Sequence, residues 1–396
     1  MPLPQPDPDA LAHSRLLAAR IATAIVRAGG WIGFDDWMRR ALHEPGLGYY
    51  GGPLRKFGAD GDFVTAPELS PLFAECVARQ VSQWFAHAAP TLVEFGAGTG
   101  RLAVGLLAAL ERLGTPAGRY VIVELSGSLR ARQRETIAQH APGALARVEW
   151  LDTLPGEIDG VVIGNELLDA MPVRVFEHDA GVLSELGVAL DDAGAFAWAA
   201  RAAGADLRAA VDDARSAPGV GAWPVAGRYR SEVGLEGAAW VETVGRSLVR
   251  GALLLIDYGF PAREYYHPQR DAGTLVAHYR HHVHGDLLGL PGLQDVTAHV
   301  DFSAVARAAS RAGLATLGYT SQARFLVNCG LLELLADAGR DAPRGPATPA
   351  QARRLGAVQT LLSEAEMGEL FKAIAFGRGL PDDAVGFGRG DRSAAL

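Results

Sequence analysis

The chain has 396 residues, 49% of them apolar and 21% charged, which suits one large α/β domain with additions, or two domains, and excludes a disordered chain. A formal net charge of −8 argues against a polyanionic partner, because a nucleic-acid binder carries a basic face. Cys76 and Cys329, the two cysteines, form neither a disulfide framework nor a metal-ligand spacing, and no apolar run reaches membrane-spanning length.

In chain order, residues 10 to 28 place Leu11, Leu16, Leu17, Ile21, Ile25 and Val26 at helical spacing, and Gly29-Gly30 stops the helix. Phe34 to Leu42 reads as a second helix. An irregular stretch rich in Gly, Pro and Tyr follows from Glu44 to Pro67, of a length that marks functional segments. Pro71 to Phe85 is a predicted helix. The pattern then alternates: strands Thr91 to Phe95, Tyr120 to Glu124, Arg147 to Trp150 and Gly160 to Gly164, and helices Arg101 to Leu113 and Leu129 to His140. Short, unalternating apolar strands between helices predict a parallel sheet covered on both faces. The alternation breaks over 173–240, an expected insertion of a hairpin plus helices. It resumes with a fifth strand, Ala252 to Asp257. A Tyr- and His-rich loop is expected from Tyr258 to Val300, then a helix from Phe302 to Ala312 capped by Asp301, and a late strand from Leu314 to Tyr319. A linker is expected over 340–352 and a terminal helix from Thr360 to Phe376.

The first strand ends in Glu94-Phe95-Gly96-Ala97-Gly98-Thr99-Gly100. Glycines at a strand-to-helix turn let backbone N–H groups approach a ligand. The dinucleotide fingerprint G-x-G-x-x-G would need glycine at position 101, which is Arg101. The G-x-G-x-G run with Glu94 before it resembles motif one of the class I methyltransferases, where a carboxylate orients the turn. Glu124 at the end of the second strand is placed to accept the two ribose hydroxyls. In the layout of the methyltransferases that this motif resembles, Asp152, after the third strand, lies beside the adenine and can accept from its amine. For Glu94 and Asp152 the bland alternatives are a helix-dipole partner and a helix cap. The fourth strand runs into Asn165-Glu166-Leu167-Leu168-Asp169-Ala170-Met171-Pro172, which crowds two carboxylates and an amide into one turn. Polar groups there are costly unless paired, which suggests a site for a cationic or amine-bearing acceptor. A nucleic-acid amino-methyltransferase would carry an Asn/Asp-Pro-Pro-aromatic run, and this chain does not. The histidines from His278 to His284 lack ligands at zinc spacing, and a substrate loop is the expectation there.

Together these stretches resemble the MidA-like methyltransferases, a family that includes the mitochondrial complex I assembly-factor arginine methyltransferases. Gly61-Asp62-Phe63-Val64-Thr65-Ala66-Pro67-Glu68, Glu94 to Gly100, Val123 to Ser126 with Gln133, and Asn165 to Pro172 carry the resemblance. So do Leu255 to Gly259, Gly273-Thr274-Leu275, Asp295 to Phe302, and Gln322 with Phe325-Leu326. It implies a Rossmann-like class I methyltransferase fold with an N-terminal helical extension and an insertion between strands 4 and 5. The division expected is an extension and cofactor-covering segment over 1–90, a methyltransferase domain over 91–335 with the insertion 173–240, and a linker and helix over 336–396. S-adenosyl-L-methionine (SAM) is the implied cofactor, held by Glu94, Gly96, Gly98, Gly100, Glu124 and Asp152, with Asp62, Thr65, Pro67 and Glu68 at its rim. Asn165, Glu166 and Asp169 are the implied acceptor residues, and no metal is expected.

The expected activity is methylation of arginine on a protein, by resemblance a respiratory complex I subunit or similar. The alternatives are a small-molecule methyltransferase, a non-catalytic SAM-binding assembly factor and, last, an NAD enzyme. Met1 to Asp9 is Pro-rich and acidic, so no secretory signal is expected. The Arg- and Ala-rich composition, with lysine only at positions 56 and 372, looks bacterial. Together with the cysteine usage it makes a reducing cytoplasm the expected setting.

Overall fold

The computed structural model describes residues 3–52, 65–221, 223, 227–340 and 348–396. Contacts divide the chain into two units. One, the sheet unit, comprises Val64–Leu167, Val241–Gly259 and Ala306–Leu396; the other, the insertion unit, comprises Met1–Phe63, Leu168–Trp240 and Phe260–Val305.

The sheet unit is built on strands β1 (Thr91–Phe95), β2 (Arg119–Val123), β3 (Val148–Leu151), β4 (Ile158–Asn165), β5 (Leu248–Phe260), β6 (Ala315–Ser321) and β7 (Phe371–Arg378). Their spatial order is β3-β2-β1-β4-β5-β7-β6. The pairs from β3 to β5 are parallel, and β7 is antiparallel to both β5 and β6. The centre is apolar on both faces: Val161, Val162, Ile163, Leu253, Leu254 and Leu255 are all buried, as a strand covered by helices on either side requires. Helices Pro71–Trp84 and Arg101–Arg112 cover one face through Phe73, Val77, Val81, Leu106 and Leu110. The strand order reverses direction between β1 and β4. Ligands of open α/β sheets bind at that switch point, beyond the carboxyl ends of the strands.

Two C-terminal expectations change: of the linker over 340–352, residues 341–347 lie outside the described residues and Pro349 onward is helical. Thr360 to Phe376 is not a single helix: a helix occupies Pro349–Leu362, a short turn Met367–Leu370, and Phe371–Arg378 is β7. Phe371, Ala373, Ile374, Ala375 and Phe376 are buried because the strand lies inside the sheet, between β5 and β6.

In the insertion unit, Val182–Leu190 pairs antiparallel with Arg174–Asp179, Phe196–Ala202 and Ile32–Gly33, and Arg174–Asp179 pairs with Arg228–Val233. Helices Pro8–Arg27 and Phe34–His43 supply Leu17, Ile21, Ile25, Phe34, Trp37 and Met38 to a core shared with Val175, Leu186 and Val188. The first helix starts on Asp7, which accepts from the Ala10 N–H at 2.8 Å, and stops where Gly30 N–H returns to the Ile25 carbonyl at 2.8 Å. The expected loop from Tyr258 to Val300 contains a small sheet of Val276–Tyr279, His282–His284 and Asp295–Thr297. Arg280 and His281, both at positive φ, form its two-residue hairpin turn. Asp301 caps the next helix as expected, accepting from the N–H groups of Ser303 at 3.0 Å and Ala304 at 3.1 Å.

The described N-terminal residues up to Gly52 pack with the insertion, whereas Thr65 onward to the end of β4 and the C-terminal segment belong with the sheet. Among the described residues no helix is long and apolar enough to cross a membrane.

Candidate active site

The glycine turn lies at the carboxyl end of β1. Gly96, Gly98 and Gly100 sit at φ 66°, 50° and 85°, the left-handed region that excludes most side chains. Space enforces the choice as well: a Cβ on Gly96 would stand 3.1 Å from Leu167 Cδ1, and one on Gly100 would stand 3.2 Å from Gln133 Cα. Gly100 then opens the helix Arg101–Arg112.

Glu124 follows β2 and is half-buried. One carboxylate oxygen accepts from Ser126 N–H at 2.9 Å and the other from Gln133 Nε2 at 3.1 Å. A carboxylate has about four lone-pair sites, so about two remain for a ligand, the number that two ribose hydroxyls need. The Glu124 N–H donates to the Leu151 carbonyl at 3.0 Å, which ties the end of β2 to that of β3. Asp152, the next residue, is exposed beside this junction.

Glu94 behaves differently from the expectation. Its carboxylate is buried within the sheet, where it accepts from the Tyr120 hydroxyl at 2.7 Å, so its observed bond runs across to β2 and not to the turn. Burial pushes its pKa up to about 7, and the Tyr120 bond opposes that shift. Because this carboxyl group is more easily protonated in the folded protein than in the unfolded chain, its contribution is fully present below about pH 4.5. It is lost as pH rises toward 7. Glu94→Gln keeps an acceptor for Tyr120 and cannot ionise. Thermal unfolding followed between pH 4.5 and 7 is expected to show a weaker decline in stability with pH for the variant than for the wild type. The difference is on the order of 3 kcal/mol at most across the window, and parallel curves would contradict the assignment.

The segment before the sheet reaches the turn through Glu68. This residue accepts from the Thr99 hydroxyl in the glycine run, and its second oxygen lies 3.7 Å from Arg101 Nε. Thr65 precedes the short helix Ala66–Leu69 without a side-chain capping bond, and Pro67 fills its first turn. Asp62 lies outside the described residues.

At the end of β4, Asn165 is buried and Glu166 adopts φ 50°, a conformation unusual for a glutamate and held by its N–H to the Ile256 carbonyl at 2.8 Å. Glu166 Oε1 accepts from Asn165 Nδ2 at 3.0 Å and from the Ala66 N–H at 3.3 Å. The Leu167 N–H donates to buried Asp257 of β5 at 3.0 Å. The ends of β4 and β5 and the Ala66–Leu69 turn are thereby joined. Asp169, three residues on, belongs to the insertion unit. It is buried there, and its carbonyl accepts from the Ala298 N–H at 3.0 Å. In the same unit Tyr50 donates to Asp295 at 2.9 Å. Burial and the neighbouring carboxylates of Asp295 and Asp169 hold the Tyr50 hydroxyl pKa well above its usual value.

Sequence reasoning missed the parts played by Tyr120, Trp150 and Gln133. Gln133 stood among the residues that carry the resemblance, without a role; its burial with Ile137 on an otherwise exposed or half-buried helix shows only in the structure.

A mostly parallel sheet with a glycine turn on β1, a carboxylate ending β2 and an antiparallel strand between β5 and β6 defines a class I methyltransferase, Rossmann-like and distinct from the six-stranded dinucleotide sheet. The chain matches the model of the family described as "Putative S-adenosyl-L-methionine-dependent methyltransferase" over residues 73–320, well over half its length, and belongs to that family. Its cofactor is S-adenosyl-L-methionine. A Burkholderia thailandensis protein whose crystal structure holds S-adenosyl-homocysteine is 51% identical, with a TM-score of 0.91 over 100% of both chains. Among curated proteins, the mitochondrial protein arginine methyltransferase NDUFAF7 of Mus musculus is 29% identical over 402 residues, 93% of this chain and 85% of its own. The Caenorhabditis elegans homologue is 27% identical, over 77% of this chain and 74% of its own.

Proposed function

We propose that this methyltransferase modifies arginine on a protein substrate. The observation that carries the reading is the amide–carboxylate pair of Asn165 and Glu166 at the end of β4, beside the switch point where the glycine turn also ends. The names of the mitochondrial relatives, which match most of this chain, favour the same acceptor. The cofactor brings a methyl group on a sulfonium; the protein's task is positioning. Gly96, Gly98 and Gly100 bring the backbone close to the cofactor, Glu124 takes the ribose hydroxyls, and Glu68 braces the turn through Thr99. Glu94 braces β1 against β2 through Tyr120 beneath the turn, and Asp152 is assigned to the base. A guanidinium stays protonated in proteins, so Glu166 orients it and stabilises charge as the methyl group leaves sulfur for nitrogen and the nitrogen gives up a proton.

The test is to incubate the protein with methyl-labelled SAM and a cell lysate, then separate macromolecules from small molecules and map the label by mass spectrometry. Methylated arginine in a protein is the expected result. Label confined to small molecules would establish the small-molecule alternative instead.

A further inference from the structure

We infer that Gln133 is a positioning residue for the cofactor, fixing the glycine turn and the Glu124 carboxylate against each other through a single buried amide. The inference rests on the reading that the turn and Glu124 hold the cofactor. Gln133 lies on the helix Gly127–His140 and is completely buried. Its Nε2 donates to the Gly98 carbonyl at 3.1 Å and to Glu124 at 3.1 Å, and its Oε1 accepts from Trp150 Nε1 at 3.0 Å. Both donor hydrogens and the acceptor are therefore engaged by the ends of three adjacent strands.

Chemistry fixes the orientation of the amide. An ionised carboxylate and a carbonyl only accept, and an indole only donates, so a flipped Gln133 would lose all three bonds. Fixing the Gly98 carbonyl also fixes the planar peptide that follows it, so the Thr99 N–H points the opposite way, away from Gln133. Holding one Glu124 oxygen leaves the carboxylate a defined rotation about its last bond. A buried amide this fully paired is costly to build and contributes little apolar burial, which is the pattern of a group retained for geometry.

The charged groups around it are Glu124; Arg130, whose Nε donates to the Glu124 carbonyl at 2.6 Å; and Arg134, 4.5 Å above the Trp150 ring. Gln133→Glu has the same shape but can donate to Glu124 only while protonated, and the like charge of Glu124 favours keeping that proton. Calorimetric titration with S-adenosyl-homocysteine is the readout. Gln133→Glu is expected to bind more weakly than the wild type by about ten-fold at neutral pH, with affinity recovering as pH falls. Gln133→Leu is expected to lose affinity without that pH dependence. Trp150→Phe, which frees the amide to flip, is expected to lose a smaller factor, a second measurement should the leucine variant not fold.

Glu124→Gln separates the two readings. If it binds S-adenosyl-homocysteine like the wild type, the ribose assignment falls and the inference with it. If it binds weakly while Gln133→Glu binds as the wild type does at every pH, the inference alone is overturned. A pH-independent loss in Gln133→Glu that matches a loss of thermal stability would also overturn it, reducing Gln133 to packing.

Discussion

Gly98→Val is expected to abolish cofactor binding. Gly98 sits at φ 50°, where a Cβ crowds the following carbonyl at a cost of about 1–2 kcal/mol, and a β-branched side chain fits worse still. Valine would also fill the side of the turn on which a backbone approaches a ligand and would displace the Gly98 carbonyl from Gln133. The expected loss of S-adenosyl-homocysteine affinity is about 100-fold or more, roughly 2.7 kcal/mol. Calorimetry on the folded variant, checked by its thermal transition, reads it. Wild-type affinity would show that the cofactor does not use this turn.

The second large effect is expected at Glu166. In Glu166→Gln the amide oxygen can take the place of Oε1 in the bonds from Asn165 and Ala66, so the turn and the Ala66–Leu69 segment keep their supports. Only the negative charge is lost. If that charge stabilises a guanidinium as the methyl group moves, turnover falls about 100- to 1,000-fold while cofactor affinity stays nearly constant, because the interaction belongs to the transition state. A parallel fall in both would assign Glu166 to the cofactor side of the site.

The ease with which this site is read from sequence varies with how local its causes are. The glycine turn, Glu124 and strands β1, β2, β4 and β5 are written in contiguous residues, where apolar runs meet glycine and acid at fixed spacing. β7 is not, because a short apolar run such as Phe371 to Phe376 fits a buried helix or a buried strand equally well. Only pairing with β5 and β6 decides between them. Glu166 gives no cue to its left-handed backbone, which depends on the Ile256 carbonyl 90 residues away. The Glu94–Tyr120 bond and the three bonds of Gln133 likewise join residues whose proximity arises only when the strands are laid side by side. The insertion was visible as a break in alternation, but its partnership with the N-terminal helices was not, since nothing local in Trp37 or Val188 names the other.

The methyl donor is expected at the switch point, on the glycine turn and Glu124. A crystal structure of this protein with S-adenosyl-homocysteine tests it most directly. The ribose hydroxyls are expected on the Glu124 carboxylate and the amino-acid end of the ligand along Gly96 to Gly100. Density for the ligand elsewhere, with the Glu124 carboxylate still bonded only to Ser126 and Gln133, would contradict it.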